Sequence, residues 1–119
     1  MTESLLTSSQ YVEIAADAAS ERKAQDIVIM DMQEALPVTD YFLIASGSST
    51  TNVKAIADFI EEKLEKVGLP VLHKEGYREA YWILLDYGYF VAHIFVKEER
   101  KFYSLEQLWA SVPSRAYQD

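Results

Sequence analysis

The residue types able to do chemistry fall into a few small groups, and each has a plainer use beside the reactive one. Ser46-Gly47-Ser48-Ser49-Thr50-Thr51-Asn52 is a small-residue turn between an apolar run and a helical pattern. A strand, a tight turn and a helix start can bind an anion on free backbone amides, which makes this turn a candidate nucleotide site. The second glycine and the lysine of a phosphate-binding loop are missing, however. Ser48 also lacks the flanking glycines of a nucleophile elbow. The same Ser, Thr and Asn residues are the favoured caps of a helix.

His73 and Glu75 lie two apart, so on a strand they face the same way. A metal would need further ligands. The chain has two histidines and no cysteine, and His93 sits among Ala92, Ile94 and Phe95, where a packed, hydrogen-bonded imidazole is expected. No metal or other cofactor is expected. Phosphoryl or nucleotidyl transfer needs carboxylates that converge on one point. Glu75 has no Asp-x-Asp or Asp-x-Glu partner, Asp58 belongs to a helix, and Asp86 to a turn whose backbone it can hydrogen-bond. Nucleophile, base and charge stabiliser do not come together, so no enzymatic activity is expected. That leaves the aromatics Tyr77, Tyr81, Trp82, Tyr87 and Tyr89. They suit either cross-strand packing in a core or the hot spot of a protein interface.

A hairpin must position most of these residues. Residues 81–85 and 89–96 read as neighbouring strands, and Asp86-Tyr87-Gly88 as the tight turn between them. Side chains alternate across a strand. Trp82, Leu84 and Asp86 therefore share one face, with Tyr81, Ile83 and Leu85 opposite. In the second strand Tyr89, Val91, His93 and Phe95 share a face, and Phe90, Ala92, Ile94 and Val96 take the other. Both faces are apolar. One must cover a core; the other must be covered by a helix of the same chain or by a partner.

The remaining elements follow from periodicity. Thr7-x-x-Gln10 is a capping-box pattern opening a helix over 9–22, with Tyr11, Ile14, Ala15, Ala18 and Arg22 at helical spacing. Short β-branched or aromatic runs at 27–30 and 41–45 predict buried strands. Val53, Ile56, Ala57, Ile60, Leu64 and Val67 form one buried stripe, with Lys54–Asp58 and Glu62–Lys66 spaced to pair on the wet side. Gly68 and Pro70 stop that helix. A third strand is expected at 71–75 and a turn at 76–80. Phe102, Leu105, Leu108 and Trp109 predict one last short helix ended by Pro113, and residues 114–119 a loose tail. The order αββαβββα predicts one α+β domain over residues 1–119, ordered over about 9–112, with a mixed five-stranded sheet packed with helices.

A chain of 119 residues, half of them hydrophobic, can build such a core without disulfide or metal. No apolar run approaches the roughly 20 residues of a membrane span. The opening MTESLLTSSQ lacks the basic and apolar parts of a signal peptide, so a soluble cytoplasmic protein is expected. Eleven basic against 19 acidic residues leave a net charge of −8. An acidic chain is a poor ligand for DNA or RNA phosphates. On charge alone the plainer use is solubility; the same charge is also electrostatically suited to a basic protein partner.

Several motifs, in order, resemble the ribosomal silencing factors (RsfS, also called Iojap or YbeB). They are Lys23-Ala24-x-Asp26-Ile27, Thr39-Asp40-Tyr41-Phe42-x-Ile44-x-Ser46-Gly47-Ser48, Glu75-Gly76, Trp82-Ile83-Leu84-Leu85-Asp86-Tyr87-Gly88, Val91-x-His93, and Arg100-x-Phe102-Tyr103-x-Leu105-Glu106-x-Leu108-Trp109. The resemblance spans residues 14–109. It implies a fold related to nucleotidyltransferases but without catalysis. It also implies binding to the large ribosomal subunit through its protein uL-fourteen, blocking the small subunit from joining and so damping translation when nutrients are scarce. The partner surface it implies is the face around Trp82, with Leu84, Asp86, His93 and Phe95, and with Glu75 at its side. Trp82 would be the anchor, Leu84 and Phe95 would add apolar area, and Asp86 and Glu75 would meet basic groups. The same face could instead form a homodimer. Tyr89 departs from the family, which more often has Asp after the turn glycine.

Overall fold

The computed structural model describes residues 5–118. Residues 1–4 and Asp119, parts of the expected domain and tail, lie outside the described residues. The chain runs α1 (Ser8–Glu21), β1 (Gln25–Asp31), β2 (Tyr41–Gly47), α2 (Thr50–Lys66), β3 (His73–Glu75), β4 (Trp82–Asp86), β5 (Phe90–Val96), α3 (Lys97–Tyr103), α4 (Leu105–Leu108) and β6 (Ser114–Ala116). The strands form one sheet in the order β3-β4-β5-β2-β1-β6. Among the described residues only the central β2–β5 pair is parallel; its neighbours pair antiparallel.

The sheet is therefore mixed, as the element order implied, but it has six strands rather than five. The extra strand is the expected loose tail. Ser114 and Arg115 pair with Met30 and Ile29, and the Tyr117 amide donates to the Ile27 carbonyl at 2.9 Å. Arg115 pairs with Glu13, and the Tyr117 hydroxyl reaches Asp17. These side chains tie the last strand to α1.

Local chemistry accounts for the helices. At α1 the Thr7 hydroxyl accepts the Gln10 amide at 3.1 Å, and the Thr7 amide donates to Gln10 Oε1 at 2.8 Å, a complete capping box. Tyr11, Val12, Ala15, Ala16, Ala18 and Ala19 are all buried, a wider stripe than the spacing predicts, because α1 packs on both the sheet and α2. In α2 the buried stripe is Val53, Ile56, Ala57, Phe59, Ile60 and Leu64. Val67, expected in that stripe, is 40% exposed because the helix ends at Lys66. Glu62 and Lys66 approach to 3.8 Å. Asp58 instead accepts the Tyr77 hydroxyl at 3.1 Å, and Lys54 lies over the Tyr77 ring.

The helices α1 and α2 cover one sheet face, where Ile83, Leu85, Phe90, Ala92 and Ile94 join the main core. Tyr87 belongs to this core too and stacks on Phe90. A smaller cluster on the opposite face holds Met30, Met32, Phe42, Ile44 and Phe95. Leu36, Leu105, Trp109 and Val112 pack against it.

The expected single C-terminal helix is two. Ser104 takes a left-handed conformation, φ 52° and ψ 50°, ends α3 and starts α4. The break turns Leu105 and Trp109 onto the sheet. It leaves Phe102 78% exposed and Leu108 71% exposed. Arg100 holds the corner: its guanidinium donates to both carboxylate oxygens of Glu106 at 2.9 and 3.0 Å, and to the Ser46 hydroxyl at 2.8 Å.

Candidate functional site

The turn after β2 is engaged within the fold. Ser49 caps α2 by accepting the Asn52 amide at 3.1 Å, and Asn52 Oδ1 accepts the Ser48 amide at 2.9 Å. Ser46 is committed to Arg100. A Cβ on Gly47 would stand 2.7 Å from Val53 Cγ2, so the glycine lets the strand end meet α2 closely. The turn is thus built as a helix cap and a hinge for the Arg100 corner. His73 and Glu75 do face the same way, and they contact each other at 2.5 Å on an exposed edge strand. Among the described residues no three or more His, Cys, Asp or Glu side chains gather where they could hold a metal.

The half-covered sheet face is the stronger candidate. Leu105, Trp109 and Val112 cover it beside Met30, Phe42 and Ile44, and over β4 the Tyr103 ring meets Trp82 but leaves Leu84 and Asp86 half-buried. Strand register brings the residues of this face together: Trp82 stands opposite Phe95, Leu84 opposite His93 and Asp86 opposite Val91. On the outer side Glu75 stands opposite Leu84 and His73 opposite Asp86, so β3 adds a polar rim. Trp82, Leu84, Asp86 and Val91 are all half-buried. Asp86 also accepts the Gly88 amide at 2.9 Å, which shapes the hairpin turn.

Two residues expected on the contact surface lie beneath it. Phe95 is 1% exposed and His93 4% exposed. Neither can add area to a partner contact as the chain stands. Trp82 stacks on Phe95 with ring centroids 4.9 Å apart, and its indole N–H donates to His93 Nδ1 at 3.1 Å. Phe42 meets His93 edge-on at 4.7 Å. Position on a face follows from alternation; depth depends on what α4 and its flanks cover.

Other residues join the face that the hairpin pattern does not reveal. The Tyr103 ring lies 4.6 Å from Trp82, and Phe102 meets Tyr103 edge-on at 5.1 Å. Both are exposed, so α3 extends the aromatic surface beyond the sheet. The available signal was Ser104-x-x-Gln107, the same cap-type spacing as Thr7-x-x-Gln10. The helix does restart there, although the Ser104 hydroxyl donates to Gln107 Oε1 at 3.1 Å rather than capping a backbone amide.

Burial pushes the His93 imidazole down to about 4, below its ordinary value near 6.5. The sign follows from linkage. Between those values the unfolded chain takes up a proton at His93 that the native chain refuses. Stability is therefore full above about pH 6.5 and falls as pH drops towards 4, by about 3 kcal/mol in total. In urea titrations across that window, His93→Asn should remove most of this decline. An unchanged slope would contradict the assignment.

The chain resembles known proteins over nearly its full length. A family model described as "Ribosomal silencing factor during starvation" matches residues 6–119. The ribosomal silencing factor RsfS of Bacillus subtilis is 41% identical over 108 residues, covering 91% of this chain and 92% of that protein. A mouse protein named "Mitochondrial assembly of ribosomal large subunit protein 1" is 28% identical over 101 residues, covering 82% of this chain and 44% of its own length. A crystal structure of a Chromobacterium violaceum protein superposes with a TM-score of 0.86 at 25% identity, covering 96% of this chain and 95% of that one. With a match spanning the fold from α1 to β6, this chain belongs to the ribosomal silencing factor family.

Proposed function

We propose that this chain represses translation by docking on the large ribosomal subunit, at its protein uL-fourteen, and standing where the small subunit would join. The observation that carries the reading is the half-covered sheet face: Trp82 and Leu84 are left partly open beside exposed Tyr103 and Phe102. Aromatic anchors next to incompletely packed sheet are what a protein interface uses as its hot spot. The family resemblance is what points to uL-fourteen. The mouse relative's name, which refers to the large subunit, is in keeping with that choice.

In this reading Trp82 is the anchor, Leu84, Tyr103 and Phe102 add apolar area, and Asp86 and Glu75 meet basic groups at the rim. The net charge of −8 favours approach to a basic ribosomal protein and disfavours direct contact with DNA or RNA. The protein would act in the cytoplasm, by steric block, without cofactor or catalysis. A homodimer through the same face would compete with docking.

Phe102→Ser separates docking from folding. The ring is 78% exposed and touches only Tyr103 among the described ring contacts, so thermal stability should stay within about 0.5 kcal/mol of the wild type. Binding to the large subunit should weaken about tenfold, and inhibition of subunit joining should weaken in parallel. Undiminished inhibition of joining by this variant would remove α3 from the interface.

A further inference from the structure

We infer that His93 is a positioning residue of the docking face. By accepting the indole N–H of Trp82 it holds that ring in one orientation, and it leaves Trp82 to offer a partner apolar ring surface and no hydrogen-bond donor. The inference rests on the docking role proposed for this face.

The geometry is diagonal across the hairpin. His93 stands opposite Leu84, two register positions from the Trp82–Phe95 pair and next to it on the same face, and aromatic side chains reach such diagonal neighbours. The indole of tryptophan can only donate, and its N–H meets His93 Nδ1 at 3.1 Å. The accepting nitrogen cannot carry a proton, so the proton sits on Nε2. That second nitrogen is buried and has no hydrogen-bond partner among the described residues. An imidazole used only as filler would be poorly chosen here, since an apolar side chain could fill the space with no orphaned polar atom. The Trp82 bond gives the histidine a purpose that packing does not. Phe42 meets the imidazole at 4.7 Å and the Phe95 ring runs nearly parallel to it at 6.3 Å, so rings flank the acceptor.

The consequence is chemical. With its N–H already used, Trp82 has nothing to give an acceptor on the partner. The group that seats against it packs on the ring face, as an apolar stem or a cation does, and is not held there as a hydrogen-bond acceptor. Polar selection is left to the rim, where Asp86 and Glu75 stand.

Three full-length variants test this: His93→Leu, which keeps an apolar filling, His93→Asn, which restores an acceptor oxygen near the place of Nδ1, and Trp82→Phe, which lacks the N–H. The first readout needs no ribosome. The chain has two tryptophans, so the indole proton of Trp82 can be assigned in NMR spectra by its loss in Trp82→Phe. It should exchange slowly with solvent in the wild type and in His93→Asn, and rapidly in folded His93→Leu. Fast exchange in the wild type, or equal protection in His93→Leu, would overturn the inference.

The second readout is a double-mutant cycle on large-subunit binding. His93→Leu should weaken binding about tenfold in the wild type and have no further effect in Trp82→Phe. Equal losses in both backgrounds would mean that His93 acts on the partner or the fold independently of Trp82, and the inference would be wrong. If the wild-type chain itself does not bind the large subunit, the docking reading fails instead. The indole exchange then decides the positioning role alone.

Discussion

Replacing Trp82 by alanine is expected to weaken binding to the large ribosomal subunit at least about thirtyfold while the domain stays folded. The figure corresponds to about 2 kcal/mol, the lower edge of what an aromatic hot spot loses on truncation. Trp82 is the ring on which the others converge: Phe95 lies beneath it, Tyr103 beside it, and His93 takes its N–H. Because the ring is only half-buried, the fold should lose less than the roughly 3–5 kcal/mol of a fully buried Trp→Ala change. Trp82→Glu should go further, since it also places a carboxylate where the partner must close against apolar surface. Binding isotherms paired with melting curves check this. A folded Trp82→Ala protein that binds like the wild type would mean the anchor lies elsewhere.

The largest expected effect on stability lies in the turn before that tryptophan. Gly76 has φ +78°, and a Cβ there would stand 2.1 Å from the Trp82 carbonyl oxygen and 3.2 Å from its carbon. Those are backbone atoms, which cannot rotate away. A left-handed conformation costs an L-residue about 1–2 kcal/mol, and relieving the clash must displace the start of β4. Gly76→Ala should therefore cost more than about 3 kcal/mol in denaturant unfolding. Gly68 is the control. Its φ is +84°, but a Cβ there meets nothing within 4 Å, so Gly68→Ala should cost only the conformational term, about 1–2 kcal/mol. Equal losses at the two positions would show that the close approach to Trp82 carries no weight. Gly76→Ala should also impair docking, because the carbonyl it pushes belongs to Trp82.

These two positions show what could be read from residue types and what could not. The hairpin alternation sorted Trp82, Leu84 and Asp86 from Ile83 and Leu85, because strand periodicity acts through neighbouring residues only. The capping box at Thr7 and the stripe of α2 were legible for the same reason. Depth on the sheet was not. Phe95 and His93 are buried because Trp82 folds over them and the C-terminal segment covers the adjacent β2 surface, an outcome set by residues far along the chain. The break at Ser104 is hidden in the sequence because Phe102, Leu105, Leu108 and Trp109 fit one helical stripe, whereas a single left-handed residue divides them between sheet and solvent. The strand β6 was illegible for another reason. Ser114-Arg115-Ala116 carries no apolar alternation and lies exposed along an edge, and what places it is backbone pairing with β1 and the contact of Arg115 with the distant Glu13.

The tyrosines make the same point within one short stretch. Tyr87 enters the main core, Tyr77 leans on α2 through Asp58, and Tyr89 packs 5.1 Å from Tyr11. Trp82 turns to the half-covered face. Aromatic density gave two readings, core and interface, and the fold uses both on opposite sides of one hairpin.

The most direct measurement of the central claim is cosedimentation of the full chain with separated large and small ribosomal subunits, across a salt series and with Trp82→Ala alongside. The account predicts selective pelleting with the large subunit, weakening as salt rises because the acidic rim meets basic groups. It also predicts little pelleting of the variant at any salt. A folded wild-type chain that pellets with neither subunit at low salt, or equally with both, would contradict it.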